Sequence, residues 1–411
     1  MKSAGTMPAG GETPLLWGDK RFHTWNYEMR RQFGRKVFKV MLDAGFTCPN
    51  RDGTLAIGGC TFCSARGSGD FAGSRRDDLV TQFNTVRDRQ HKKWPDALYI
   101  GYFQAYTNTY APVHVLREYY ETILAQPGVV GLSIATRPDC LPDDVVDYLA
   151  ELNERTYLWV EMGLQTIHES TSKLINRAHD TACFYDAVRR LRERGIRVCA
   201  HIIYGLPLET HDMMLETGRA VADMDVQGIK IHLLHLMKKT PMVKQWQAGL
   251  VRFLEMDEYV NLVVDTLEML PPEMIVHRVT GDAPRELLIG PMWSLKKWEV
   301  LNAIDAELER RNTWQGKKRG AKAPAAATDA GEAGMPRSGG GPGAVGGGDV
   351  AGRPDAARSF GGMLPGVPDA AAAGTAAGFA NGFAAGGAER TDEDDELAAS
   401  AGGAGGCPGS C

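Results

Sequence analysis

Six short runs rich in β-branched and aromatic residues, at 37–42, 97–102, 129–136, 157–163, 197–204 and 228–234, alternate with longer stretches of helical period at 79–92, 113–125, 142–154, 182–194 and 212–223. Parallel strands cannot be joined by tight hairpins and need long crossovers, so this repeat restricts the chain to an α/β fold built on a parallel sheet. Several runs are mostly apolar without clean alternation, as in Val129-Val-Gly-Leu-Ser-Ile-Ala, which fits strands covered on both faces. Periodicity does not choose between a doubly wound sheet and one curled into a barrel. In either, ligand chemistry belongs at the carboxyl ends of the strands. The unusual residues fall there: Cys48 to Cys63 after the first run, Gln104-Ala-Tyr-Thr-Asn after the second, Arg137-Pro-Asp after the third, Gln165-Thr after the fourth and Gly205-Leu-Pro after the fifth. A helix near 257–269, a strand at 274–279 and a charged helix at 294–311 extend the unit.

Composition changes abruptly near Gly316. Beyond it Ala and Gly dominate, with an acidic knot at Asp392-Glu-Asp-Asp-Glu and hardly any large apolar residue. Such a segment cannot bury enough surface to offset its conformational entropy, so 316–411 is expected to be disordered. The net charge of −5 over 411 residues gives no global attraction to nucleic acid or anionic lipid. No segment has the apolar core of a signal peptide or the run of about 20 apolar residues that spans a bilayer, which implies a soluble, cytoplasmic protein with no membrane partner.

The chain has eight cysteines. Without a secretion signal they are read as metal-binding or catalytic rather than as a disulfide framework. Cys48, Cys60 and Cys63 cluster, Cys140, Cys183 and Cys199 are scattered, and Cys407 and Cys411 close the sequence. The cluster reads as a lone cysteine, a long gap turned by Gly53, Gly58 and Gly59, then C-x2-C. Three thiolates is an informative number: structural zinc normally takes four ligands, whereas a [4Fe–4S] cube held by three keeps one iron open. A zinc loop completed by a further histidine or cysteine is the alternative, and with it a binding module that is not an enzyme.

In these features the chain resembles the radical S-adenosylmethionine (SAM) superfamily, whose three loop cysteines after the first barrel strand hold such a cluster. The long first gap is similar to the branch that includes the Elongator catalytic subunit. Thr47-Cys-Pro-Asn-Arg-Asp-Gly, Phe103-Gln-Ala-Tyr-Thr-Asn-Thr-Tyr, Thr280-Gly-Asp-Ala-Pro-Arg-Glu-Leu-Leu and Trp293-Ser-Leu-Lys-Lys-Trp resemble a bacterial YhcC-like group within it. The resemblance covers about 22–315 and implies a partial (βα)6 barrel of TIM-like type. Its domains would be an N-terminal extension at 1–21, the radical SAM core at 22–273, an α/β extension at 274–315 and the tail at 316–411.

It also implies roles. Cys48, Cys60 and Cys63 would hold the [4Fe–4S] cluster, and Phe62 would lie against the adenine of SAM. Gln104, with Thr107, would replace the family glutamate that meets the methionyl amino group, and Ala135 stands where relatives often carry another glutamate. Gln165 would meet the SAM ribose and Arg177 its carboxylate. Gly205 and Pro207 would bring backbone close to the adenine, and His201 occupies a position that is acidic in some relatives. The reaction implied is reductive cleavage of SAM with an external one-electron reductant, giving a 5′-deoxyadenosyl radical that abstracts hydrogen.

The substrate is left open among tRNA, a small metabolite and a peptide. For tRNA, the basic and aromatic residues of Arg310-Arg311-Asn-Thr-Trp314-Gln-Gly-Lys317-Lys318-Arg319 have the composition of an RNA contact, though a solvated helix end fits the same residues. Near predicted strand ends, Tyr102, Tyr106, Tyr110, Asp139, Cys140, Glu161 and His232 are the substrate-facing candidates, and the sequence does not say to which side Glu161 points.

Overall fold

The structure, a computed structural model, describes residues 12–323. In chain order the elements are α1 (Trp25–Phe33), β1 (Val37–Leu42), α2 (Leu79–His91), β2 (Leu98–Phe103), α3 (Val113–Leu124), β3 (Val129–Thr136), α4 (Asp143–Arg155) and β4 (Tyr157–Gln165). There follow α5 (Glu169–Leu174), α6 (Thr181–Glu193), β5 (Arg197–Tyr204), α7 (His211–Asp223), β6 (Gly228–Leu233) and β7 (Leu236–Met237). The last are α8 (Met242–Gln247), α9 (Met256–Met269), β8 (Ile275–Arg278), β9 (Leu288–Gly290) and α10 (Lys297–Arg310). Seven strands, in the order β1-β2-β3-β4-β5-β6-β8, pair in parallel and curl into a partial barrel. The alternation of strand and helix is therefore a barrel rather than a flat doubly wound sheet. β8, from the expected C-terminal extension, is the seventh strand of the same sheet.

Strand register explains the curl. Pairing puts Lys39 beside Ile100, Tyr102 beside Ser133, Ala135 beside Glu161, Gly163 beside His201, and His201 beside Lys230. Successive residues point to opposite faces of a strand. One face thus carries Val40, Leu42, Phe103, Leu132, Ile134, Val160, Met162, Val198, Ile202, Ile229 and Ile231, all buried in the main core beneath the helices. The other face is the barrel interior. What looked like an unpatterned apolar run is an alternation of an apolar outer face with an inner face that is apolar at the amino ends of the strands and mostly polar or small above them.

The interior is layered. At the amino ends of the strands Val37, Ile100, Trp159, Cys199 and Ile275 form a second apolar cluster around Met29 of α1. α1 begins at Thr24, whose hydroxyl accepts from the Tyr27 amide, and ends at Gly34 with φ 67°. That left-handed C-terminal position favours glycine. Trp25 meets Trp159 edge-on and His277 at a tilt, with ring centroids 5.9 and 4.3 Å apart, so α1 plugs this end of the barrel. Above the plug lies a charged layer, and above that the cavity.

The two ends of the described chain meet beside α10. The Gln315 amide donates to the Arg21 carbonyl at 2.9 Å, and the Gly316 amide to the Leu267 carbonyl at 3.0 Å. Among the described residues the chain continues past 316 through a 3-10 turn at Lys317–Arg319. Composition missed this because the turn is held by ion pairs rather than apolar burial: Lys318 to Glu268 at 2.6 Å, and Arg319 to Asp223. The Gly/Ala-rich sequence from 324 on, with Cys407 and Cys411, and residues 1–11 lie outside the described residues.

Trp159 is completely buried at the contact of plug and barrel. Trp159→Ala is expected to lower stability by about 3–5 kcal/mol, measured by equilibrium denaturation at neutral pH.

Candidate functional site

The loop between β1 and α2 carries the three cysteines, and its backbone is tied down from within and from outside. The Cys48 carbonyl accepts from the Arg51 and Asp52 amides at 2.8 and 3.0 Å, and the Cys63 amide donates to the Cys60 carbonyl at 3.0 Å. The Asn50 side chain, completely buried, donates to the Asn176 carbonyl at 2.6 Å and reaches Cys60 Sγ at 3.5 Å. Asn176 answers with a bond to the Gly59 carbonyl at 2.8 Å. Arg51 bonds the Ser64 and Ala65 carbonyls at 2.8 and 3.1 Å. The Thr61 amide donates to Ile175, and the Thr61 carbonyl accepts from Met242. The loop is thereby clasped by the segment after α5 and by α8.

Cys48, Cys60 and Cys63 line one cavity of about 290 Å³ that runs down from the strand ends into the barrel. All three are free thiols. Burial pushes the Cys60 thiol up to about 12 and raises that of Cys63 as well, so a metal would displace protons on binding there. Among the described residues no three His, Cys, Asp or Glu side chains converge on a single ion. A mononuclear zinc site requires that convergence, whereas a cube offers a separate iron to each thiolate. The donor set fits a cluster with three protein ligands. Gln104, which also lines the cavity, donates to the Ser68 carbonyl at 2.8 Å and leaves its Oε1 buried without a partner. That acceptor suits an incoming amino group.

Other expected contacts divide. Phe62, Gln165, Arg177 and His201 line the cavity, as do Thr107 and Ala135. Gln165 sits at φ 60° with its amide folded over Gly163, where a β-carbon would come within 2.2 Å of it. Gly205 and Pro207 do not reach the cavity. Gly205 (φ 88°) turns against Met214, while Leu206 joins Ile175, Leu234 and Met242 in a small apolar cluster on which Phe62 rests. This turn supports Phe62 from behind.

Arg177 lines the cavity and is also heavily engaged by the protein. Its guanidinium is 1% exposed and is spent on the protein: Nη1 donates to the Leu164 and Thr166 carbonyls at 2.6 and 2.7 Å, and Nε to the His179 carbonyl at 3.0 Å. It is a strut fixing the end of β4 to the segment clasping the cysteine loop. Arg137 extends the strut, donating to the Arg177 carbonyl at 2.9 Å while paired with Asp139 at 2.6 Å. Of the substrate candidates, Tyr102, Tyr106, Glu161 and His232 line the cavity. Tyr110, Asp139 and Cys140 border a separate groove.

Below the cysteines Glu161 points inward, fully buried. It is held by Lys39 at 2.5 Å and His201 at 2.8 Å, and by Lys230 and Ser133. Burial acts to raise its pKa, but Lys230 and then Lys39 outweigh it and hold the carboxyl well below the usual range. Burial brings Lys230 down to about 8. Lys39 and Lys230 escaped the sequence reading. The available signal was a lysine at the centre of an apolar strand, in Val-Phe-Lys-Val-Met-Leu and Gly-Ile-Lys-Ile-His-Leu.

Burial also depresses four histidines of this interior, His201 and His235 to about 4 and His232 and His277 well below their ordinary value. Each is neutral in the fold and gains a proton on unfolding below the ordinary value of 6.5. Their contribution is complete above pH 6.5 and is lost as pH falls toward 4. Urea midpoints are therefore expected to fall from pH 7 to 5, with a shallower fall in His201→Gln.

Set beside known proteins, residues 48–221 match the Radical SAM superfamily and 226–310 the Radical_SAM C-terminal domain. YtqA of Bacillus subtilis (strain 168) is 70% identical over 299 residues, spanning 73% of this chain and 93% of that protein. YhcC of Escherichia coli (strain K12) is 41% identical over 285 residues, 68% of this chain and 90% of its own. The fold is similar to that of Elp3 from the archaeon Methanocaldococcus infernus, with a TM-score of 0.52 and 16% identity over 68% of this chain and 64% of that one.

Proposed function

The chain belongs to the radical SAM superfamily and is an enzyme of that kind, and on that premise we propose that Cys48, Cys60 and Cys63 hold a [4Fe–4S] cluster against which SAM binds. When bound, such a cluster passes one electron from an external reductant to the sulfonium of SAM, releasing methionine and a 5′-deoxyadenosyl radical able to take hydrogen from a substrate. The observation that carries this reading is three thiols from one clasped loop, lining a single cavity whose other end opens into the barrel interior.

The chain's own residues supply position. Asn50 and Asn176 fix the loop from opposite sides of Cys60. Phe62, backed by the Leu206 cluster, offers an aromatic face beside Cys63 for the adenine. Gln104 Oε1 accepts from the methionyl amino group, and Thr107 and Gln165 are the nearby polar groups for the remaining contacts. Arg177 and Arg137 act through the backbone, keeping β4 and the cysteine loop in register.

A small metabolite or a peptide suits the site as substrate better than tRNA. In the basic segment at 310–319, Arg310 and Arg311 pair with Glu307, Lys318 with Glu268 and Arg319 with Asp223. Those cations already have partners, which leaves little for a phosphate backbone. Among the described residues no helix is long and apolar enough to cross a membrane.

Replacing Cys48, Cys60 or Cys63 with Ala is expected to abolish both the brown chromophore of anaerobically reconstituted protein and all 5′-deoxyadenosine formation. Full production by any one of the three variants would remove that residue from the ligand set. Zinc in place of iron in active wild-type protein would overturn the reading altogether.

A further inference from the structure

SAM and a cluster occupy the upper cavity in the reading above, and the lower part, beneath Ala135 and Gly163, is left without a task. Two charge groupings border it. In one, Glu161 is shared by Lys230 and by Lys39 at 2.5 Å. In the other, Asp282 is shared by Arg278 at 3.7 Å and Lys297 at 2.7 Å. Each sets two cations on one carboxylate, so each keeps a positive charge in excess. Asp282, Arg278 and Lys297 are each about one-third exposed, whereas the excess at Glu161 and Lys230 is buried, which is costly unless something compensates it.

Nothing else at the floor does. Burial and neighbouring cations keep His201, His232 and His235 neutral, and Tyr102, whose hydroxyl accepts from Lys230 at 3.0 Å, stays a protonated phenol. Two hydrogen-bonding atoms are idle besides: His232 Nε2 and His235 Nε2 are both buried and carry no bond. Cationic surplus and idle neutral donors thus share one wall of the cavity, at the level of β6 and β8.

We propose that this wall binds the negatively charged group of a small-molecule substrate, a carboxylate or a phosphate ester, with Lys230 and Arg278 as its ion-pair partners and His232 and His235 as neutral donors. Calling that ligand the substrate rests on the SAM-cleaving reading; the binding of an anion does not. An anion here neutralises the surplus in surroundings of low dielectric, where charge-assisted hydrogen bonds are strongest. A polynucleotide is disfavoured, because the groups lie inside the barrel rather than along a surface stripe.

The test is calorimetric titration of the reconstituted protein with SAM present, in low-chloride buffer, using inorganic phosphate and succinate in separate runs. One-to-one, saturable binding of at least one probe is expected: phosphate would mark a phosphate ester, succinate a carboxylate. Arg278→Gln, at a partly exposed position, should weaken binding tenfold or more. Lys230→Gln should do the same, and Lys230→Arg should recover to within about threefold. Binding of neither probe, or undiminished affinity in Arg278→Gln, overturns the proposal, as does tight binding of bulk tRNA when both probes fail. 5′-Deoxyadenosine is measured on the same samples. SAM cleavage without anion binding removes this inference alone, and anion binding without SAM cleavage removes only the enzymatic reading above.

Discussion

A carboxylate with no exposure at all, Glu161, stands at the middle of the barrel with two lysines, a serine and a histidine turned onto it. An isolated charge at that depth would cost several kcal/mol, and a single partner seldom repays it. Here the carboxylate is contacted from β1, β3, β5 and β6 at once. The strands cannot slip by one residue without sending a lysine into the outer apolar core and a leucine or valine into the charged layer. Register, curvature and the position of the strand ends follow from that arrangement. So does the place of the cysteine loop, which hangs from the end of β1 and is clasped by segments following β4 and β6.

The clasp shows how the site is stiffened without ligands of its own. Asn50 donates to the Asn176 carbonyl and Asn176 to the Gly59 carbonyl, and Arg177 and Arg137 hold the carbonyls at the end of β4 and beyond it. Left-handed backbone at Gln165, Asn176 and Ala178, none of them glycine, marks the same segment as locally strained. Strain at that junction is held in place by fully buried arginine donors.

Much of this architecture was legible in the residues. Strands at 37–42, 129–136 and 197–204 begin and end in the structure where their composition places them, because Gly and Pro punctuate them strongly. The cysteine spacing led to the site. Less legible were α1, α5 and α8, short helices whose stability comes from docking rather than from a long amphipathic period. The packing roles of Arg177 and the Gly205 turn were not legible, because local motifs say which residues occur and not what else they hold. Lys39 and Lys230 were passed over for a related reason: in runs dominated by Val, Ile and Leu, the inward set becomes visible only once register is known. The basic residues at 317–319 were read as an RNA contact or a solvated helix end, since composition cannot see acidic partners at Asp223 and Glu268 that lie far off in sequence.

The aromatic plug has a bearing on traffic. With Trp25, Met29 and Trp159 filling the barrel at the amino ends of its strands, the well has no way out toward α1. Whatever enters or leaves must do so away from α1, a restriction imposed by two tryptophans and a methionine far from any reacting atom.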